Sequence, residues 1–245
     1  MIKLSLPEKP RKLEENENAL KAEFRADPNK CVWKKDYITT PLLEMTHSKC
    51  AYSETKLNEE SKYMEVEHFK HKSQYPEEVV TWGNLLPSCK TCNISKGTWD
   101  VVADPIIDPL TDNPGEHLYI KFGRFHAKDE KGQNTLDALD LNNIDEFMIP
   151  RFRIANYTVD SLSDALISLQ EADTPKKRKT RVGKIKSILR ACGPQSPYSA
   201  STATYILYNW EEYGSFKKYL TDNGYWDNDF KELIATLETI ALPKS

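Results

Sequence analysis

Between Cys50 and Asp100 the chain has almost no helical periodicity, and charge, His, Cys and Asn crowd together there. A segment without a continuous apolar stripe cannot bury itself as a helix, so short strands are the structure it leaves open. Tyr63 to His68 and Asn84 to Ser88 read as those strands. On either side the pattern is helical. Glu14 to Phe24 reads as a helix that breaks at Asp27-Pro28-Asn29, and Pro41 starts a short helical stretch that ends before His47. Asp104 to Gly115 carries Pro105, Pro109 and Pro114 and reads as a connector, Leu118 to His126 as a strand, and Lys131-Gly132 as a turn. Leu162, Ala165, Leu166 and Leu169 then recur at three and four behind Asp160 as a helix cap. Pro175 opens a helix that Gly193-Pro194 ends, and two more are predicted over Ser201 to Asn209 and Asp227 to Ala241. The fold class is therefore α+β: a small module at 46–110, a helical arm at 1–45, and a mainly helical region at 111–245.

A chain of 245 residues allows one large domain or two small ones. Its 34 Lys+Arg against 37 Asp+Glu leave a net charge of −3, which does not mark a nucleic-acid binder, yet the charge is segregated. Residues 176–190 contain Lys176, Lys177, Arg178, Lys179, Arg181, Lys184, Lys186 and Arg190 and no acid. Val182, Ile185, Ile188 and Leu189 line one face of that helix, leaving Lys177, Arg178 and Arg181 as candidate phosphate contacts or as a solvated face. There is no apolar run of roughly 18 residues and no apolar leader, so a cytoplasmic protein with no membrane partner is expected.

Five cysteines at 31, 50, 89, 92 and 192 do not make a disulfide framework. The pair Cys89-Lys90-Thr91-Cys92 suits a metal, whereas a redox pair would open a helix within a βαβ pattern that this sequence lacks. Glu67-His68 sets a metal ligand beside a base whose pKa is ordinarily near neutral. A cation held by Glu67 and the Asn93 amide oxygen would polarise a phosphodiester, and oxygen ligands favour Mg²⁺ or Mn²⁺ there.

Glu67-His68, Asn84-Leu85-Leu86, Cys89-x-x-Cys92 and Asn93-x-x-Lys96-Gly97 follow one another in an order that resembles the HNH endonucleases. Their ββα-metal module implies His68 as general base, Asn84 as the residue fixing the loop that orients it, Glu67 and Asn93 on the cation, and Lys96 on a phosphate. Glu67 stands where Asp is commoner. In such proteins a second Cys-x-x-Cys precedes the first strand and completes a structural zinc site; here Cys50 is followed by Ser53 in place of the second thiol. Cys50, Cys89 and Cys92 then hold zinc with His47 or Cys31, or pack as small apolar residues.

Lys49-Cys50-Ala51-Tyr52, Glu67 to Pro76, Asn84 to Gly97, Asp108-Pro109 and Glu116-His117-Leu118 resemble more narrowly the HNH subunits of Septu-type anti-phage defence, and related retron subunits, over roughly residues 40–145. That resemblance implies a PtuA-like ATPase partner and a nucleic-acid substrate, DNA ahead of RNA or tRNA. The chain has no Gly-x-x-x-x-Gly-Lys-Ser/Thr loop with which to use ATP itself. Tyr205, Tyr208, Trp210, Tyr213, Phe216, Tyr219, Tyr225 and Trp226 form either a docking surface for the partner or a helical core. A non-catalytic zinc-ribbon-like adaptor is the alternative function; it has no use for Glu67-His68 with Asn93. His71 reads as a loop residue, Asp104 and Asp108 as connector residues, and His117 and His126 as structural.

Overall fold

The computed structural model describes residues 1–57 and 63–244; residues 58–62, inside the expected module, and residue 245 lie outside the described residues. The chain divides into two compact units, Met1–Leu118 with His126–Asn143, and Tyr119–Phe125 with Ile144–Ser245.

In the first unit, α1 (Arg11–Ala26) buries Leu13, Leu20 and Phe24, and α2 (Asp36–Met45) buries Ile38 and Leu42. Both faces enter one core with Val32, Trp33, Val79, Val80, Trp82 and Leu85. Residues 1–45 and residues 79–85 of the expected module thus share one core. Pro41 also lies inside α2 instead of opening it. Strands β1 (Glu65–His68) and β2 (Leu85–Ser88) pair antiparallel, Glu65 opposite Ser88 and His68 opposite Leu85. Cys89 leads directly into α3 (Lys90–Lys96). The strands are joined by a long loop with 3-10 turns at Pro76–Glu78 and Trp82–Asn84.

After α4 (Pro114–His117), β3 (Leu118–Lys121) and β4 (Arg124–Ala127) pair through a turn whose Phe122 and Gly123 both have positive φ, so the single expected strand is two. The turn expected at Lys131-Gly132 is instead the first turn of α5 (Glu130–Leu139). Asp129 caps it by accepting from Gly132 N at 2.8 Å. A Cβ on Gly132 would lie 2.2 Å from the His117 carbonyl oxygen, so this glycine marks a close approach and not a reversal of the chain.

The second unit holds a π-helical turn (Ile144–Met148), α6 (Ile149–Gln170), α7 (Pro175–Arg190), α8 (Ser199–Thr204), a second π-helical turn (Tyr205–Asn209), α9 (Tyr213–Asp222) and α10 (Asn228–Ile240). Asp160 is not a cap but lies within α6, accepting from the Asn156 amide four residues earlier. The buried stripe runs on upstream through Val159, Ala155 and Arg151, which carries the helix back to Ile149. Arg151 is fully buried because its guanidinium lies 4.2 Å from the Phe125 ring centre and donates to Gly123 O at 2.8 Å. The Ile185 and Leu189 side chains of α7 are buried as its apolar spacing requires, with Thr174 and Asp227 capping α7 and α10. Among the C-terminal aromatics Trp210 and Phe216 are core residues, whereas Tyr208 is exposed. Among the described residues no helix is long and apolar enough to cross a membrane.

Candidate functional site

β1 and α3 form two walls of a cavity of about 570 Å³ lined by Glu65, Glu67, His68, Lys72, Asn93 and Trp33, among others. Alternation along a strand puts Glu65 and Glu67 on one face. His68, at the strand end, is buried, and its Nε2 lies 2.9 Å from Val79 O. A carbonyl only accepts, so Nε2 carries the proton and the neutral ring keeps its lone pair on Nδ1. Trp33 packs edge-on against the ring with centroids 4.6 Å apart.

The carbonyl that fixes this tautomer sits on the long β1–β2 loop, and Asn84 closes that loop. Its Oδ1 accepts from Lys70 N at 2.7 Å, and its Nδ2 donates to Lys70 O at 3.1 Å and Glu78 O at 3.0 Å. The buried amide thus ties both ends of the segment that ends next to Val79. Asn84 is a positioning residue.

Glu67 and Asn93 line the same cavity, as a shared cation requires. Asn93 gives its amide hydrogen to Glu65, which leaves Oδ1 as the atom available to a hard cation. The Lys96 ammonium stands 2.5 Å from Glu67 Oε1 and donates to His68 O at 3.0 Å. The Glu67 contact is a close ion pair off the hydrogen-bonding axis, since Oε1 accepts no properly directed hydrogen bond. Lys96, expected on a phosphate, is only 2% exposed and acts as an internal counter-ion to Glu67.

Burial dominates both titrations. It raises Glu67 from 4.5 to about 7 against the pull of Lys96. It lowers His68 from 6.5 to about 3, helped by the Lys72 charge and opposed by the Val79 carbonyl. The consequences for stability have opposite signs. Between pH 6.5 and 3 the unfolded chain binds the His68 proton first, so this contribution falls as pH falls. Between pH 4.5 and 7 the folded chain holds the Glu67 proton more tightly, so that contribution falls as pH rises. In metal-free protein, His68→Ala should narrow the acid-side loss by about 3 kcal/mol at pH 4. Urea midpoints at pH 7 and pH 4 measure it; parallel losses in both proteins would refute the buried-histidine origin.

Cys50, Cys89 and Cys92 are buried with their sulfurs within 4.8 Å of one another. The turn carrying Cys50 docks on β2 through Ala51 N to Pro87 O at 2.9 Å, and the other two thiols flank the start of α3. Ser53 Oγ lies 3.7 Å from Cys89 Sγ, at the missing thiol's place. Burial works against a Cys50 thiolate, but donors from Cys89, Cys92 and Ser53 overcome it and hold that thiol well below its usual range. Its neighbour Cys89 is pushed up to about 12, first by donating to Cys50. One preferred thiolate among three converging sulfurs fits a soft cation such as zinc, whose bonds of roughly 2.3 Å put sulfurs roughly 4 Å apart. His47 is outside this cluster, and Cys31 is exposed and lines the acid–histidine cavity.

Lys177, Arg178 and Arg181 are exposed on α7 in the second unit. Lys177 pairs with Asp173 at 2.9 Å and Arg178 Nε donates to Ala172 O at 2.9 Å, while Lys186 and Arg190 pair with Asp227 and Asp229. Trp33, Glu65, Lys72 and the Val79 carbonyl are the site groups that sequence reasoning did not single out. Glu65 had a signal, since it alternates with Glu67.

The described residues define a mixed helical and stranded protein in which one short helix joins an acid–histidine cavity to a three-thiol cluster. It is 39% identical over 246 residues to Septu protein PtuB of Bacillus thuringiensis, covering 97% of this chain and 94% of that protein. It is also 27% identical over 143 residues to Septu protein PtuB of Bacillus mycoides (strain KBAB4), covering 45% of this chain and 48% of that protein. No protein-family model matches. The chain belongs to the Septu PtuB family, and with it to Septu anti-phage defence.

Proposed function

We propose that this chain is a metal-dependent endonuclease of the HNH type, hydrolysing phosphodiester bonds of nucleic acid, DNA before RNA, within a complex that includes a PtuA-like ATPase. Strand, strand and helix here serve as its ββα-metal module. The observation that carries the reading is the His68 tautomer. A buried imidazole whose Nε2 is committed to Val79 O offers Nδ1 as a base in the cavity shared by Glu67 and Asn93. Burial keeps that base neutral at cellular pH. Glu67 and the Asn93 Oδ1 are the residues that would hold Mg²⁺ or Mn²⁺, which when bound stabilises charge on the phosphate and leaving oxygen. Asn84 keeps the imidazole aimed, and His68 takes the proton of the attacking water.

The test is to incubate the full chain, alone and with its ATPase partner, with supercoiled plasmid and with total RNA in Mg²⁺, Mn²⁺ or EDTA. Nicked or linear plasmid with either cation and intact plasmid in EDTA is the expected result. Cleavage of RNA alone would move the substrate to RNA, and no cleavage of either with the partner present would end the nuclease reading.

The three thiols serve as a structural zinc site in this proposal, with Ser53 beside the fourth position. Elemental analysis should find about one zinc per chain, and chelation should lower the melting temperature, because such a site contributes directly to folding. Zinc-free protein that melts at an unchanged temperature would leave the thiols as packing residues.

A further inference from the structure

With Lys96 neutralised inside the protein, the cavity needs another cation if a polyanion is to enter it. Lys72 has the right placement. It lines the cavity, is half-buried, and makes no carboxylate pair among the described residues, and its Nζ rests 5.1 Å from the Trp33 ring centre. The two cavity carboxylates nearest in sequence are already engaged, Glu65 by Asn93 and Glu67 by Lys96. An ammonium stabilised by an aromatic face keeps its donors available to a second partner.

The loop that carries Lys72 is braced on both sides. Asn84 ties Lys70 on one side. On the other, Asp100 accepts from Gln74 Nε2 and from the Tyr75 hydroxyl, both at 2.8 Å. His71 joins the brace through Gln74 Oε1 at 2.9 Å. A surface lysine of no consequence would not require a loop pinned at both ends and a tryptophan beneath its ammonium.

We propose that Lys72, held over Trp33, is the backbone-phosphate contact of this cavity, binding a non-bridging oxygen of the nucleic-acid strand beside the bond to be cleaved. The inference rests on the nuclease reading for its ligand, but its test reads binding and not cleavage.

The full chain carrying His68→Ala, with and without Lys72→Gln or Lys72→Arg, is titrated with a fluorescent 20-base-pair DNA and with the matching single-stranded RNA in Ca²⁺ across a salt series. Lys72→Gln should weaken binding roughly tenfold and reduce the salt slope by about 0.9 for duplex DNA or about 0.7 for a single strand, the loss of one phosphate contact. Lys72→Arg should retain most of the affinity. An unchanged dissociation constant and slope in Lys72→Gln would overturn the assignment, as would a parent chain that binds neither nucleic acid. If the wild-type chain binds but fails to cleave even with its ATPase partner, the nuclease reading falls while the binding series still decides the role of Lys72. Equal melting temperatures of the three proteins certify that the comparison is between folded chains.

Discussion

On the proposed nuclease reading, replacing His68 with alanine should lower the rate of phosphodiester cleavage by about 10²–10⁴, the usual contribution of a general base. The loss should fall on the chemical step, since the proposal gives His68 Nδ1 the attacking water and not the strand. Binding of nucleic acid in Ca²⁺ should remain near the wild-type level. Burial makes this less simple than the loss of an exposed loop histidine: His68 is 5% exposed and its ring packs against Trp33. Truncation therefore also leaves a small cavity and strands the Val79 carbonyl, at a cost of about 2–3 kcal/mol. Single-turnover cleavage measured on protein shown to be folded separates the two effects. Wild-type turnover by a folded His68→Ala protein would remove this residue from the chemistry.

The second large effect belongs to the Glu67–Lys96 pair. Glu67→Ala leaves an ammonium that is 2% exposed with His68 O as its remaining partner. Breaking one side of a buried ion pair costs about 3–5 kcal/mol. The lower end applies here, because Glu67 titrates at about 7 and the pair is only partly ionised at neutral pH. A melting-temperature drop of roughly 10 °C is expected for a chain of this size. Glu67→Leu combined with Lys96→Met removes both charges and should recover most of the loss, as apolar replacements of buried pairs often do. Cleavage should not recover with it, because the proposed cation site has lost its carboxylate. A double variant as unstable as Glu67→Ala would show that the pair is not the origin of the cost. Recovered cleavage in that variant would place the cation on other ligands.

The residues of the site were legible where the chemistry is local in sequence. Glu67-His68 at the end of a strand, Asn84 just before the next and Asn93 on the following helix all meet at one cavity or its supporting loop. The helix over residues 175–190 was legible for the same reason, its apolar spacing being self-contained. What escaped were contacts made across the chain. Trp33 and Val79 meet His68 from distant segments, and nothing in their own neighbourhoods signals it. Lys96 shows how a resemblance can mislead: the family pattern implies a phosphate contact there, yet the fold turns it inward to Glu67. Gly132 and Asp160 failed as punctuation for a related reason. One makes room for a carbonyl, and the other lies in a helix whose start is set by packing upstream.

The brace at Asp100 and the staple at Asn84 grip the β1–β2 loop at different points, yet both reach the segment that presents Val79 to His68: Asn84 donates to Glu78 O, and the braced Tyr75 accepts from Glu78 N at 2.9 Å. The rim of the cavity and the carbonyl partner of the imidazole are thus held by one connected set of contacts. Exchanges at residues 71–75 therefore also reach the imidazole, through the Tyr75 carbonyl and through the Lys72 charge. A change in what this rim admits therefore comes with a change in how His68 is held, so the two features are inherited together.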